Sequence, residues 1–198
     1  MAGLRLDGVQ PQVLEPLSLE IAAGELVLLS GPSGSGKSLL LRAVADLDPH
    51  PGEVWLGEIA RSSLPPPEWR RRVGLLPAES HWWDERVGDH FPRDAAAYLG
   101  DLGFAPDAAG WPVARLSTGE RQRLALARLL ANGPEVLLLD EATANLDPGN
   151  RERVEATIER YRTARGVAVL WVSHDAEQRQ RLGGRRLVIR DRRLGPEE

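Results

Sequence analysis

Continuous apolar runs mark the chain at Leu26–Ser30, Val136–Asp140 and residues 167–173. A short run without polar interruptions is typical of a strand that is buried on both faces of a parallel sheet. Residues 17–22 instead alternate apolar and polar positions, which predicts a half-buried strand. Further short strands are predicted at residues 52–57 and 187–189, and another ends at residues 75–76.

Helical periodicity appears between these runs. Residues 39–47 form a helix pattern, and residues 151–165 predict an amphipathic helix with Val154, Ile158 and Tyr161 on its apolar face. Buried strands that alternate with helices predict an α/β fold with a parallel sheet. Residues 61–72 are interpreted as a proline-rich loop that leads into a charged segment. Residues 78–131 have no strong strand pattern and are interpreted as a helical insertion.

Composition narrows the class of protein. The formal net charge of −4 gives no basic field of the kind that binds nucleic acid, so no nucleic-acid partner is expected. The absence of cysteine excludes disulfides and fits a reducing compartment. No apolar run approaches the roughly 18 residues of a membrane span, and no apolar segment follows the first residues as in a signal peptide. We therefore expect a soluble, intracellular protein that reaches a membrane only through a partner.

The sequence GPSGSGKS follows the first apolar run and precedes a helix pattern. It matches the phosphate-binding loop G-x-x-x-x-G-K-[ST], whose backbone N–H groups surround phosphate oxygens. Lys37 is the only lysine of the chain; its compact ammonium fits between phosphates better than a forked guanidinium. The predicted nucleotide-binding residues are Gly31, Pro32, Ser33, Gly34, Ser35, Gly36, Lys37, Ser38 and Leu39.

Two acids stand where the second apolar run ends. Asp140 at this position can hold Mg²⁺ together with the Ser38 hydroxyl, and Glu141 can polarise an attacking water. The alternative is that this acidic pair only begins a loop. With a phosphate-binding loop upstream, the pair predicts a metal site at Ser38 and Asp140 and a catalytic base at Glu141.

Three further motifs, in this order, resemble those of ABC ATPases: LSTGE at residues 116–120 is similar to their signature, ANLD at 144–147 to their D-loop, and SHD at 173–175 to their H-switch. The resemblance covers nearly the whole chain. Within the family, the segment GVAVLWVSHDAEQ and the short length are most similar to the bacterial iron-export-type ATPases.

The resemblance implies a P-loop NTPase of ABC type. It would have a parallel core sheet, an N-terminal antiparallel β subdomain and an inserted helical subdomain. The implied domain division is a single ABC ATPase domain over residues 1–198. Residues 1–77 and 132–198 would form the core with the β subdomain, and residues 78–131 would form the helical subdomain that carries the signature.

The resemblance also implies a mechanism. Two copies would face each other head to tail, with each ATP between the Lys37 loop of one copy and the signature of the other. ATP-driven closure and hydrolysis would power transport through a separate integral-membrane permease. The chain would thus be cytoplasmic and peripheral on the inner face of the cell membrane. The implied cofactors are ATP and Mg²⁺; catalysis would use Glu141, His174 and Lys37, and Ser117, Thr118, Gly119, Glu120 and Asp147 would also contact nucleotide.

The sequence departs from the family pattern at several positions. Ala78 stands where a glutamine is usual, and no glutamine lies between Gln12 and Gln122. The adjacent Glu79 is either a substitute that reaches Mg²⁺ or water, or a plain loop acid. No aromatic residue occupies residues 8–13, so adenine would pack on Val9, on Val13 or on little. Thr118 and Glu120 also replace the usual glycine and glutamine.

Two tryptophans and several basic residues allow two interpretations each. Trp82 and Trp83 lie where the resemblance implies that the membrane subunit docks, but they could instead pack inside the helical segment. The arginine-rich segments at 70–72 and 190–193 are interpreted as solvated, with anionic lipid headgroups as the weaker alternative. His50, His81 and His90 share no ligand spacing, so no protein metal site is predicted from them.

Two other functions remain open at this point. One is a soluble ABC-type ATPase that acts in the assembly of a protein complex, since the motifs do not by themselves require a membrane subunit. DNA-repair relatives carry long coiled-coil insertions, whereas Asp140 follows Lys37 by only 103 residues here, so that branch of the family is disfavoured. The other is a degenerate module that senses nucleotide without turnover, because the glutamine and the aromatic residue are missing.

Overall fold

The computed structural model describes residues 2–92 and 96–197. Its elements in chain order are β1 (Leu4–Val9), β2 (Leu17–Ile21), β3 (Leu26–Ser30), α1 (Lys37–Val44), β4 (Glu53–Leu56), β5 (Ile59–Ala60), α2 (Pro66–Arg72), β6 (Val73–Leu76), α3 (Ala96–Leu99), α4 (Thr118–Ala131), β7 (Val136–Asp140), α5 (Pro148–Arg165), β8 (Ala168–Val172), α6 (Ala176–Leu182), β9 (Arg185–Arg190) and β10 (Arg193–Pro196).

These strands form two sheets. Four antiparallel N-terminal strands pair in the order β2-β1-β4-β5, and six strands pair in the order β10-β9-β3-β8-β7-β6. In the larger sheet all neighbours are parallel except β10, which runs antiparallel to β9. The predicted fold class, a parallel core sheet with an antiparallel N-terminal sheet, is confirmed.

The central strands are buried on both faces because their side chains alternate between two cores. In β3, Val27 and Leu29 join the core beneath α1, whereas Leu26 and Leu28 join the core beneath α4 and α5. Every residue of β3, β7 and β8 is buried. The continuous apolar runs therefore reflect packing on two sides, as the sequence predicted.

Two local predictions need correction. The segment 61–72 is not only a loop, because Pro66 begins α2, where a proline at the first helical position costs no hydrogen bond. Trp69 of this helix is fully buried and donates from Nε1 to the Val44 carbonyl at 2.9 Å. Strands β1, β5 and β10 were not predicted.

The described part of residues 77–131 contains α3, α4 and three 3-10 turns, and its one strand-like contact is the bridge between Arg86 and Pro112. Residues 93–95 of the predicted helical segment lie outside the described residues. The division of the chain into subdomains at 77 and 132 stays a prediction.

Parallel pairing brings three strand ends to one edge of the large sheet. Asp140 of β7 pairs with Val172 of β8, which in turn pairs with Leu29 of β3. The phosphate-binding loop, the acidic pair and the segment with His174 leave the sheet directly after these positions. In parallel α/β sheets this carboxyl edge is where ligands bind.

Candidate functional site

The loop between β3 and α1 requires its glycines. Gly31, Gly34 and Gly36 have φ of 141°, 77° and 102°, a region that other residues rarely adopt. A Cβ on Gly31 would lie 2.5 Å from the Ile189 carbonyl oxygen, and one on Gly36 would lie 2.9 Å from Cγ2 of Val13. The loop is therefore tightly wound against β9 and the segment before β2.

Lys37 closes this loop from inside. It is buried, and its Nζ donates to the carbonyl oxygens of Gly31 at 2.9 Å and Pro32 at 2.8 Å. Burial lowers the pKa of Lys37, while the charges of Glu141 and Asp140 oppose this shift. An ammonium has three donors, so two of them hold the loop and the third is available to a ligand.

Asp140 forms the acidic floor of the site. It is only 6% exposed, and burial raises its pKa, opposed by a hydrogen bond from the Ser38 hydroxyl and by the Lys37 charge. The described residues contain no cluster of three or more metal-ligating side chains. The Ser38 and Asp140 oxygens nevertheless suit a hard cation such as Mg²⁺, which takes one or two protein oxygens and completes its shell with phosphate and water.

Glu141 and His174 form a pair. The Nε2 of His174 lies 2.9 Å from Oε1 of Glu141, and both side chains are partly exposed. Glu141 has φ of 50°, so its backbone turns sharply where β7 ends. The structure thus brings together the predicted base and the predicted histidine.

A buried amide behind this pair was missed in the sequence. Gln178 of α6 is 2% exposed; its Oε1 accepts from the Ser173 hydroxyl at 2.6 Å, and its Nε2 donates to Thr143 Oγ1 at 2.7 Å and to Glu155 Oε1 at 2.8 Å. It therefore links the segments that carry His174 and Glu141. The D-x-x-Q spacing from Asp175 resembles a helix-capping pattern and was a usable signal.

The signature residues lie at the N-terminus of α4. The Ser117 hydroxyl accepts from the Glu120 N–H at 3.3 Å, and the Glu120 carboxylate accepts from the Ser117 N–H and the Ser117 hydroxyl, both at 2.8 Å. This is a capping box. These hydrogen bonds lower the pKa of Glu120, the bond from the Ser117 backbone most of all. The hydroxyl that the resemblance assigns to nucleotide is thus occupied within the chain.

The predicted D-loop packs against this helix end. A Cβ on Gly119 would lie 3.1 Å from Cδ2 of Leu146 and 3.4 Å from the Asn145 carbonyl oxygen, so a larger residue would push the two segments apart. Asp147 caps α5, since its Oδ1 accepts from the Asn150 N–H at 3.0 Å. Its hydrogen bonds with Asn150 lower the pKa of Asp147. This capping role explains the residue locally, and its contact with nucleotide stays a prediction.

The positions that depart from the family pattern have different surroundings. Ala78 and Glu79 are exposed, and within the described residues the Glu79 carboxylate makes no hydrogen bond or ion pair. Gln122 of α4 lies behind them and donates to the Pro77 carbonyl at 2.9 Å. Val9 is fully buried and cannot receive a base, whereas Val13 is 39% exposed. Of the two valines that the sequence offered, only Val13 remains.

The two tryptophans divide between the two interpretations. Trp82 packs against the core beneath α4, whereas Trp83 is 71% exposed. The Arg128 guanidinium lies over both rings, 4.7 Å and 5.1 Å from their centroids. His90, buried between them, accepts the Trp83 N–H at 2.9 Å and so serves packing. No helix within the described residues is long and apolar enough to span a bilayer.

Known proteins are similar to this chain in sequence. The model of the ABC transporter family matches residues 14–144. The chain is 40% identical to the Fe(3+) ions import ATP-binding protein FbpC of Streptomyces avermitilis, covering 92% of the chain and 56% of the relative. It is 39% identical to the aliphatic sulfonates import ATP-binding protein SsuB 2 of Frankia alni, covering 97% of the chain and 77% of the relative. The chain thus spans only about half the length of the Streptomyces protein.

A solved structure shows the same fold. It is a dimeric ATP-binding cassette in a post-hydrolysis state bound to ADP and Pi; the TM-score is 0.84, the identity is 25%, and 98% of each chain is covered. The two named relatives concern import, so the similarity to iron-export-type ATPases stays a prediction.

Proposed function

The chain belongs to the ABC transporter family, and from this premise we propose that it binds and hydrolyses Mg-ATP to drive a transporter. One observation carries the proposal. A buried lysine inside a glycine-bounded loop, a buried aspartate beside the Ser38 hydroxyl, and a paired glutamate and histidine all meet at one carboxyl edge of the sheet. A family domain without catalysis would not need this set together.

The proposed reaction breaks the bond between the γ-phosphorus of ATP and the oxygen that bridges to the β-phosphate. A water oxygen forms the new bond, and the Glu141 carboxylate accepts the proton of that water. ADP leaves with the electron pair on its β-phosphate oxygen, where the Lys37 ammonium stabilises the charge. His174 donates to Glu141 and thereby holds the base in one orientation.

Ser38 and Asp140 are the residues that would hold Mg²⁺. The cation would neutralise charge on the β- and γ-phosphates. Burial disfavours the charged form of Asp140, so a bound cation compensates for a cost that the fold already carries.

We also propose that two copies assemble head to tail; the similarity to a dimeric cassette with ADP and Pi supports a dimer. Ser117 and Gly119 lie at the start of α4, where free N–H groups and the helix dipole favour an anion. In the proposed dimer this helix end faces the γ-phosphate on the partner's phosphate-binding loop. ATP would then hold the interface closed, and hydrolysis would release it.

The membrane partner is supported by the surface around Trp83. A tryptophan that is 71% exposed and lies under an arginine has the composition of an interface anchor. We propose that an integral-membrane permease subunit docks here, so that the chain is peripheral on the inner face of the cell membrane. Trp83→Ala should keep basal turnover and lose stimulation by the permease, with Trp55→Ala as the control.

Glu141→Gln tests the proposed activity. The amide keeps the size of the side chain but cannot accept the proton, so turnover should fall by about 10²–10⁴-fold while ATP still binds. Glu135→Gln, an exposed acid before the opposite end of β7, is the matched control and should turn over normally. Near-normal hydrolysis by Glu141→Gln would remove Glu141 as the base.

A further inference from the structure

An exposed aliphatic side chain borders the phosphate-binding loop. Val13 is one of only three large hydrophobic residues that are strongly exposed in the described chain; the others are Leu47 and Trp83. Its Cγ2 lies 2.9 Å from where a Cβ of Gly36 would stand. A nucleotide whose phosphates occupy the loop therefore passes close to an apolar surface at Val13.

The hairpin formed by β9 and β10 holds Arg192 next to Val13. The Arg192 Nε donates to the Val13 carbonyl at 2.9 Å, and the Glu15 N–H donates to the Arg192 backbone carbonyl at 3.0 Å. The neighbouring Arg193 pairs with Glu15 at 2.7 Å. These three contacts hold Arg192 against residues 13–15, and its guanidinium is exposed beside Val13.

The hairpin holds Arg192 in an unfavourable conformation. Arg190 pairs with Arg193, so the turn has two central residues, Asp191 and Arg192, with φ of 49° and 66°. Turns with two positive φ angles strongly favour glycine at the second position. An arginine there costs stability, and such local costs are found where a side chain is needed for function.

We propose that Arg192 and Val13 form the nucleobase-binding surface, with the planar guanidinium stacked on the base and the valine methyl groups against it. This inference rests on the proposed function, since it requires that the loop binds a nucleoside triphosphate. Arginine stacks on aromatic faces through its delocalised plane and its charge. The chain thereby binds a base without an aromatic residue at 8–13. Because stacking follows the area of the base, purine triphosphates bind more tightly than pyrimidine triphosphates.

Stacking must be distinguished from simple attraction to phosphate. Arg192→Ala, Arg192→Lys and Arg192→Tyr are titrated with Mg-ATP and with inorganic tripolyphosphate. If the guanidinium stacks on the base, the alanine and lysine variants should bind ATP about tenfold more weakly, and the tyrosine variant should keep its ATP affinity. Tripolyphosphate should bind equally well to all three variants. If Lys binds ATP like wild type while Tyr binds like Ala, the guanidinium acts only as a charge and the proposal is overturned.

A glycine variant gives a second readout. Arg192→Gly should raise the melting temperature by roughly 2 °C, because glycine adopts the turn freely, and should weaken ATP as much as Arg192→Ala does. Arg190→Ala in the same hairpin is the matched control and should leave ATP affinity unchanged. A glycine variant that binds ATP like wild type would show that Arg192 does not contact the base.

Failure of this inference can be separated from failure of the proposed function. If wild type does not bind Mg-ATP, or binds it equally well after Lys37→Ala, the loop is not a nucleotide site and the proposed function fails. If Lys37→Ala abolishes binding but all Arg192 variants bind like wild type, only the nucleobase surface is wrong.

Discussion

Two regions of the molecule are built in opposite ways. One is the carboxyl edge of the large sheet with Lys37 and Asp140, here called the phosphate edge. The other is the N-terminus of α4 with Ser117 and Glu120, here called the signature end. At the phosphate edge, Lys37 and Asp140 are buried, and their pKa shifts record the cost of burial. At the signature end, Ser117 is exposed and Glu120 already satisfies it through a capping box. The charged groups at the phosphate edge still have unused hydrogen-bonding capacity, whereas the Ser117 hydroxyl at the signature end already has a hydrogen-bond partner. A ligand is therefore needed to complement the charges of the phosphate edge, whereas at the signature end it must compete with Glu120 for the Ser117 hydroxyl.

This difference follows from the supporting structure. The phosphate edge rises from three strands that are buried on both faces, so its side chains cannot move away from one another. The signature begins a helix at the surface, where local hydrogen bonds form whether or not a ligand is present.

Replacing Lys37 breaks the phosphate edge. Lys37→Arg keeps the charge but adds width inside a loop where the ammonium already contacts two carbonyls. ATP affinity should fall by about 1–3 kcal/mol, as for a lost charge-assisted contact. A titration that returns wild-type affinity would show that charge alone suffices at this position.

Replacing Asp140 exchanges function for stability. Burial raises the pKa of Asp140, so the ionised carboxylate destabilises the folded protein. This penalty is fully present above the raised pKa and is lost as the pH falls from there to the ordinary pKa of an aspartate. Asp140→Asn should raise the melting temperature by on the order of 2–4 °C at neutral pH, and less in acid. The extra stability that Mg²⁺ gives the ATP-bound protein should be lost.

Asp7→Asn, an exposed acid on β1, is the control for that experiment and should change neither value. An unchanged or lower melting temperature for Asp140→Asn at neutral pH would contradict the burial cost.

Replacing Glu120 makes the Ser117 hydroxyl more available to a ligand. Hydrogen bonds from Ser117 lower the pKa of Glu120, so the carboxylate is charged at neutral pH, and its stabilising effect is lost only as the pH falls through the lowered pKa. Glu120→Gln removes that charge and weakens the hold on the hydroxyl. ATP-dependent dimerisation should strengthen about two- to fivefold. Weaker dimerisation, measured by light scattering, would mean that the carboxylate assists closure.

Glu79 should have the smallest effect. The carboxylate is exposed and has no partner within the described residues, so Glu79→Ala should change turnover by about twofold or less, as surface substitutions do. A larger loss without a change in melting temperature would support the alternative that Glu79 serves the site in place of a glutamine at Ala78.

The sequence predicted the phosphate edge better than its surroundings. Apolar runs located β3, β7 and β8, and the parallel pairing that follows from them brings the three motifs together. The D-x-x-Q pattern could mark Gln178 only as part of a helix cap. The long-range contacts of Gln178 and Arg192 were not found, because their partners lie 35 and 179 positions away along the chain. Such contacts exist only once the sheet has formed.

Two local features, the start of α2 and the role of Ser117 in capping α4, were also missed in the sequence. The prolines at 65–67 concealed a helix start, and Trp69 shows its buried face only through packing against α1. The capping boundary at Ser117 was visible as S-x-x-E, but the sequence could not tell whether the serine would serve the helix or a ligand. The structure shows that the free chain uses it for the helix.

Mixing two inactive variants tests most directly whether the two regions form one site across two copies. Lys37→Ala disables the phosphate edge and Ser117→Arg disables the signature, so each protein alone should be inactive while keeping its fold. In a mixed dimer one site has both wild-type halves. If the two regions form one site across two copies, an equimolar mixture should recover turnover toward about a quarter of the wild-type rate, as random pairing gives. A mixture as inactive as its components, despite mixed dimers, would contradict it.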